Sequence, residues 1–167
     1  MVTLIDTVTT EDIAARVARH PFLAGMNKHH VDLLARYAKP VQFKPSDMVF
    51  RAGQPADGFY LVESGAIAVE GSVMEHGAIT TDTVNAGEPL GWSWLFPPYV
   101  WHFDARVIEP TTAIFFDGKT LRQHYDEDLT LGHDLFKRIS QVMVRRLQAA
   151  RQKFLEAQAN RKKPEIR

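Results

Sequence analysis

The sequence predicts a mainly β protein with flanking helices: an antiparallel sandwich or roll between short N-terminal helices and one long C-terminal helix. Three observations carry this reading. Between Val41 and Phe116 the apolar residues come in short runs set off by glycine and proline turns, a spacing typical of sandwiches and rolls. Ahead of Val41 the apolar residues recur at helical spacing. After Gly118 they do so again, over a much longer stretch.

Thr10 to Arg19 reads as a helix, with Thr10 as its cap, Glu11 and Asp12 in the first turn, and Ile13, Ala14 and Val17 on one face. His20-Pro21 ends it. Asn27 caps a second helix to Ala38 whose Val31, Leu34 and Ala35 form a stripe, and Pro40 stops that one. Strands are then expected at Val41–Phe43, Met48–Phe50, Phe59–Val62, Ala66–Glu70, Ile79–Val84, His102–Ile108 and Thr112–Phe116. Gly53, Gly58, Gly65, Gly71, Gly77, Gly87 and Pro110 punctuate them. Lys119 to Tyr125 makes a short helix, and a longer one runs from about Leu129 to Ala159.

The whole reads as a single domain over residues 1–160, with N-terminal helices in 8–38, the roll in 39–117 and C-terminal helices in 119–159, followed by a basic tail at 161–167. In the long helix Phe136, Ile139, Met143, Leu147, Ala150, Phe154 and Ala157 follow a repeat near 3.5 residues, that of a two-stranded coiled coil. A second stripe of Leu135, Val142 and Val144 is left for the roll. A helix apolar on two faces needs two partners, so a homodimer paired through Phe136, Ile139, Met143, Leu147, Ala150 and Phe154 is expected.

Net charge is zero, but its distribution is lopsided: residues 1–136 carry 10 Lys/Arg against 18 Asp/Glu, and residues 137–167 carry 10 against 2. The basic end suits a complementary contact, a solvated helix face, or non-specific contact with nucleic acid. Absence of cysteine excludes disulfides and thiolate chemistry. No apolar run approaches the roughly 20 residues of a membrane span, and no signal-peptide pattern opens the chain, so a cytoplasmic protein without a membrane partner is expected.

Function points to one stretch. Gly87 to Arg106 holds all three tryptophans, two glycines and three of the nine prolines. It is too irregular for a helix and too interrupted for a single strand, yet rich in aromatic surface that a protein does not ordinarily leave in water. It reads as the wall of a pocket with Gly87, Glu88, Leu90, Gly91, Trp92, Trp94, Tyr99, Trp101, His102 and Arg106 as candidate ligand-binding residues.

The segments His20-Pro-Phe-Leu, Phe50-Arg-Ala-Gly-Gln-Pro-Ala-Asp-Gly-Phe-Tyr-Leu-Val-Glu-Ser-Gly65 and Gly87-Glu-Pro-Leu-Gly91, in this order between short helices and a long one, resemble the cyclic-nucleotide-binding domain of the Crp/Fnr regulators. The resemblance implies a cyclic-nucleotide-binding-like antiparallel β-roll, a double-stranded β-helix or jelly roll. It also implies that Gly87-Glu88 opens a phosphate-binding cassette in which Glu88 accepts hydrogen bonds from a ribose and an arginine pairs with the phosphate. That arginine is missing: no Lys or Arg lies between Ala52 and Ala105, and Trp101 or His102 falls at its place. Pro89 removes an amide donor too. A buried phosphate without a guanidinium forfeits its charge-assisted pairing.

Three readings of the cassette stay open. Tryptophans fill it and the module works by dimerisation or docking. Alternatively it senses another small flat ligand between Trp92, Trp94, Tyr99 and Trp101, with Glu88 and His102 as polar handles. Or it remains a true cAMP or cGMP receptor, with Arg106 or the long helix of a partner supplying the cation. The resulting expectation is a non-enzymatic regulatory module acting through an unidentified small molecule or protein. No certain cofactor is implied; a cyclic nucleotide is one candidate. The seven histidines are scattered and give no metal site, and His29 and His30 point about 100° apart on their helix. Full-length Crp/Fnr regulators continue into a helix-turn-helix; about eight residues follow Ala159, which leaves no room for one, so sequence-specific DNA binding is not expected. Non-specific nucleic-acid binding by the basic helix is the remaining alternative.

Overall fold

A computed structural model describes residues 3–4, 10–74 and 76–161. In chain order the elements are β1 (Thr3–Leu4), α1 (Thr10–Arg19), a 3-10 turn (Pro21–Leu23), α2 (Lys28–Tyr37), β2 (Ala38–Phe43), β3 (Met48–Phe50), β4 (Gly58–Ser64), β5 (Ala66–Val73), β6 (Gly77–Asn85), β7 (Pro89–Leu90), β8 (Asp104–Val107), β9 (Thr111–Asp117), α3 (Gly118–Glu127) and α4 (Leu129–Arg161). The strands form two antiparallel sheets, β1-β2-β9-β4-β7 and β3-β8-β5-β6. This is the expected roll with its helices.

Alternation decides which face of each strand is inside. In β2, Val41 and Phe43 are buried while Gln42 between them is exposed. β4 departs from alternation, Gly58 to Val62 being buried throughout, because aromatic side chains from outside the sheet cover its outer face: Phe59 meets Phe22 of the 3-10 turn edge to face at 5.5 Å and Trp94 at 6.0 Å. Leu61, Ile67, Val84, Val107 and Ile114, drawn from both sheets, are wholly buried in one continuous core. Gly65 must be glycine: its φ is +84°, and a Cβ there would meet the Pro110 carbonyl oxygen at 2.3 Å.

Helix ends follow their caps. Asn27 accepts from the His29 amide at 2.8 Å to start α2, and Asp117 accepts from the Thr120 amide at 2.8 Å to start α3. Asp128 accepts from the Thr130 hydroxyl and from the amides of Leu131 and Thr130 at the start of α4, which together hold its carboxyl down to about 2. Thr10, expected as the cap of α1, is its first helical residue, and the tail residues from Lys162 onward lie outside the described residues.

α4 spans 33 residues, about 50 Å. Its first half packs on the body through Leu131, Leu135, Ile139 and Val142, all buried. Arg138 ties it down, donating to Asp134 and to the carbonyls of Phe22 and Ala24. From Leu147 onward every described side chain is exposed. Two residues therefore change sides relative to the sequence reading. Ile139, expected in a dimer seam, is 2% exposed against its own body, and Val144, expected on the roll, is 53% exposed. At about 100° per residue Val144 lies on the far side of the helix from Val142, and Ile139 lies about 60° from Phe136, toward the buried stripe.

Candidate functional site

The cassette begins where β6 hands over to β7. The Gly87 amide donates to the Val62 carbonyl at 2.8 Å, and the Glu88 amide donates to the Asn85 carbonyl at 3.1 Å. Gly87 takes φ +87°, as the reversal requires. The Glu88 carboxylate turns back on its own turn, Oε2 accepting from the Asn85 amide at 2.8 Å. β7 then pairs with β4, Leu61 opposite Pro89 and Tyr60 opposite Leu90. Each of the first three cassette residues is thus spent as a donor: two amides are bonded internally, and Pro89 has none.

His20 explains why His-Pro-Phe-Leu precedes the roll. Its Nδ1 accepts from the Phe22 amide at 3.2 Å, so Nε2 carries the proton and donates at 2.9 Å to the same Val62 carbonyl that holds Gly87. Burial lowers its pKa, keeping the ring neutral in this two-sided role.

The aromatic residues do not line one cleft. Trp94 is fully buried against Phe59, ring centroids 6.0 Å apart. Trp101 is 3% exposed and stacks on Phe50, with centroids 3.8 Å apart and rings within 8° of parallel. Its backbone is fixed on both sides, N–H to the Gln54 carbonyl at 2.9 Å and carbonyl from the Gly53 amide at 2.8 Å. Gly91, at φ +87°, lies so close that a Cβ would sit 2.7 Å from the Trp101 ring. Trp94 and Trp101 are core residues and not the two walls of a flat-ligand slot, because the neighbouring turn and strand register draw their rings inward. Tyr99 is partly exposed beneath the guanidinium of Arg122, and His102 is exposed. Arg106, a candidate for the missing cation, sits in the other sheet with its guanidinium held by both carboxylate oxygens of Glu70, itself buried.

Among the described residues, Arg122 and Arg146 reach the segment from the C-terminal helices. Arg122 of α3 donates from Nη1 to the Trp94 carbonyl at 2.6 Å and lies 4.3 Å over the Tyr99 ring. Arg146 of α4 donates from Nη2 to the Pro89 carbonyl at 2.8 Å, places Nε 3.2 Å from Asp82 Oδ2, and lies 5.3 Å over the Trp92 ring. Burial lowers the Arg146 pKa, while the carboxylates of Asp82 and Glu88 oppose that shift. Sequence reasoning missed both arginines as site residues. One signal was available for Arg146: it stands where the buried stripe of α4, Leu131, Leu135, Ile139 and Val142, calls for its next apolar residue.

The outer edge of α4 carries Phe136, Val144, Leu147 and Phe154, from 43% to 63% exposed, with Met143 half-buried and Ala150 exposed beside them. Phe136 also meets Phe96 of the cassette, ring centroids 6.4 Å apart. Of the basic residues on this helix, Arg138 and Arg146 are turned to the body and Lys153 donates to the Thr81 carbonyl at 3.5 Å, while Lys137, Arg145, Arg151 and Arg161 are exposed. Among the described residues no helix is long and apolar enough to cross a membrane, and no three His, Asp or Glu side chains gather as a metal site.

Comparison with known proteins agrees with this architecture. No curated protein matches the sequence significantly. Among solved structures, a cyclic nucleotide-binding domain from Methylobacillus flagellatus superposes with a TM-score of 0.73 at 19% identity, over 89% of this chain and 83% of that one. The sensor domain of the transcriptional regulator DNR from Pseudomonas aeruginosa gives 0.66 at 16% identity, over 83% and 93%. The regulatory subunit of a cAMP-independent protein kinase A from Trypanosoma brucei gives 0.65 at 20% identity, over 79% of this chain and 47% of that one. These likenesses establish the fold. The model of the cyclic nucleotide-binding domain matches residues 40–128, from within β2 to the end of α3, and so takes in β3 to β9 and the whole cassette. With more than half its length matched and its sheets in the same roll, the chain belongs to the cyclic nucleotide-binding domain family.

Proposed function

We propose that this protein is a non-enzymatic regulatory module that works as a homodimer through α4 and whose cassette does not take a cyclic phosphate. The observation that carries the dimer is α4 itself. Its buried stripe and its exposed apolar edge lie about 130° apart around the helix, and along the edge Phe136, Val144, Leu147 and Phe154 are 43% to 63% exposed, Phe136 alone of the four meeting a ring of the body, that of Phe96. A helix of this kind gains most of its stability from packing, so a second copy of the same edge is the natural cover. The pairing residues are then Phe136, Met143, Val144, Leu147, Ala150 and Phe154, without Ile139.

The cassette reading rests on chemistry at its mouth. A cyclic phosphate needs donors and a positive charge. The turn amides of Gly87 and Glu88 are already bonded, Pro89 offers none, Trp101 is packed into the core, and Arg146 is neutralised by Asp82. The structural relative from Trypanosoma brucei is described as part of a cAMP-independent kinase, a precedent for this roll serving regulation without that ligand.

Sedimentation equilibrium tests the dimer. The wild-type chain is expected to sediment as a dimer at micromolar concentration, and Met143→Glu with Leu147→Glu is expected to give a folded monomer. A wild-type monomer at 100-fold higher concentration would refute the pairing.

A further inference from the structure

At the cassette mouth the groups that touch Arg146 are acceptors and a ring face, and the one other cation acting on it, its neighbour Arg145, points to solvent. Asp82 supplies a carboxylate 3.2 Å from Nε, Pro89 a carbonyl 2.8 Å from Nη2, and Trp92 a ring face 5.3 Å from Cζ. Glu88 adds a second negative charge nearby, its carboxylate held in place by the Asn85 amide. An anionic oxygen, a neutral acceptor and an aromatic face are what a planar, delocalised cation requires, and none of them can donate to an anion. The Arg146 side chain is 15% exposed there, so the receptor is shielded from water and its ion pair is weakly screened. In a chain whose residues 1–136 carry an excess of acid, this mouth has the opposite polarity to a phosphate site.

We propose that the mouth of the cassette is a receptor for a guanidinium group, filled in cis by Arg146, and that it takes small guanidinium compounds from solution in competition with that side chain. The inference deepens the preceding reading and rests on its claim that the cassette is no phosphate site. Entry of a free guanidinium would displace Arg146 and remove one tie between α4 and the roll, at the point where α4 leaves the body. Such a competitor meets a tethered rival: if Arg146 holds the mouth nine-tenths of the time, apparent affinity in the wild type falls about tenfold.

Methylguanidinium is the probe, titrated against wild type and Arg146→Ala at constant ionic strength. Binding is followed by calorimetry and by the indole resonance of Trp92. Saturable binding is expected in both, about tenfold tighter in Arg146→Ala, and lost from both when Asp82→Asn is introduced; urea, similar in shape but uncharged, is expected not to bind. If Arg146→Ala does not fold, the wild-type titration with its Asp82→Asn counterpart still decides. The proposal is overturned if methylguanidinium fails to saturate, if urea matches it, if Asp82→Asn leaves binding unchanged, or if Arg146→Ala binds no tighter than wild type. A cAMP titration separates the two readings. Failure of methylguanidinium with no cAMP binding sinks this inference alone, whereas cAMP binding to the wild type sinks the cassette reading with it.

Discussion

Trp101 shows how one residue redirects a site. Stacked on Phe50, with both backbone groups bonded to the Gly53–Gln54 turn, it makes the cassette part of the core. Gly91 permits this by leaving room for its ring, so Gly91→Ala is expected to cost about 2 kcal/mol or more, from positive-φ strain and overpacking together; urea denaturation measures it. His20 gives a pH signature. Its folded pKa is lowered by burial, so the unfolded chain binds the extra proton first as pH falls. Stability from this residue is complete above about pH 6.5 and declines as pH drops from there toward the lowered folded value. Denaturation curves from pH 8 to pH 5 should show that decline, and His20→Gln should flatten it. None of this partnership was legible in sequence. The aromatic richness was visible, but whether a tryptophan lines a pocket or fills it depends on the strand and turn that receive its ring.

Among the elements, those with strong local signals came through: the helix period, Asn27 as a cap, and the glycine turns fix α2, α3, α4 and most strands to within a residue or two of their observed limits. β7 was missed because it is two residues long and begins with proline, and it forms only because β4 offers an open edge there. The two faces of α4 were foreseen, but two residues were set on the wrong one: Val144 stands about 160° around the helix from Val142, on the exposed side, and Ile139 stands about 60° from Phe136, on the buried side. Paired truncations distinguish the faces. Leu135→Ala, wholly within the body, is expected to lose about 2–5 kcal/mol. Leu155→Ala, 61% exposed, is expected to change stability by less than about 0.5 kcal/mol. Thermal and urea denaturation of the two variants side by side provides the check, and equal losses would mean that α4 is not divided as described.

At the scale of the molecule, the cations absent from residues 52–105 are brought in from the C-terminal helices, Arg122 to Trp94 and Tyr99, Arg146 to Asp82, Pro89 and Trp92. The lopsided charge read from the sequence has part of its meaning here: an acidic roll gripped by a basic helix. The same helix carries the edge proposed to pair two copies, so the state of the cassette mouth and the disposition of the dimer share one rigid element. The central claim is that the mouth has exchanged anion recognition for cation recognition. Isothermal titration of the wild-type protein with cAMP and cGMP tests it most directly. No saturable heat is expected for either nucleotide up to millimolar concentration; submillimolar binding that disappears in Glu88→Ala would contradict the account.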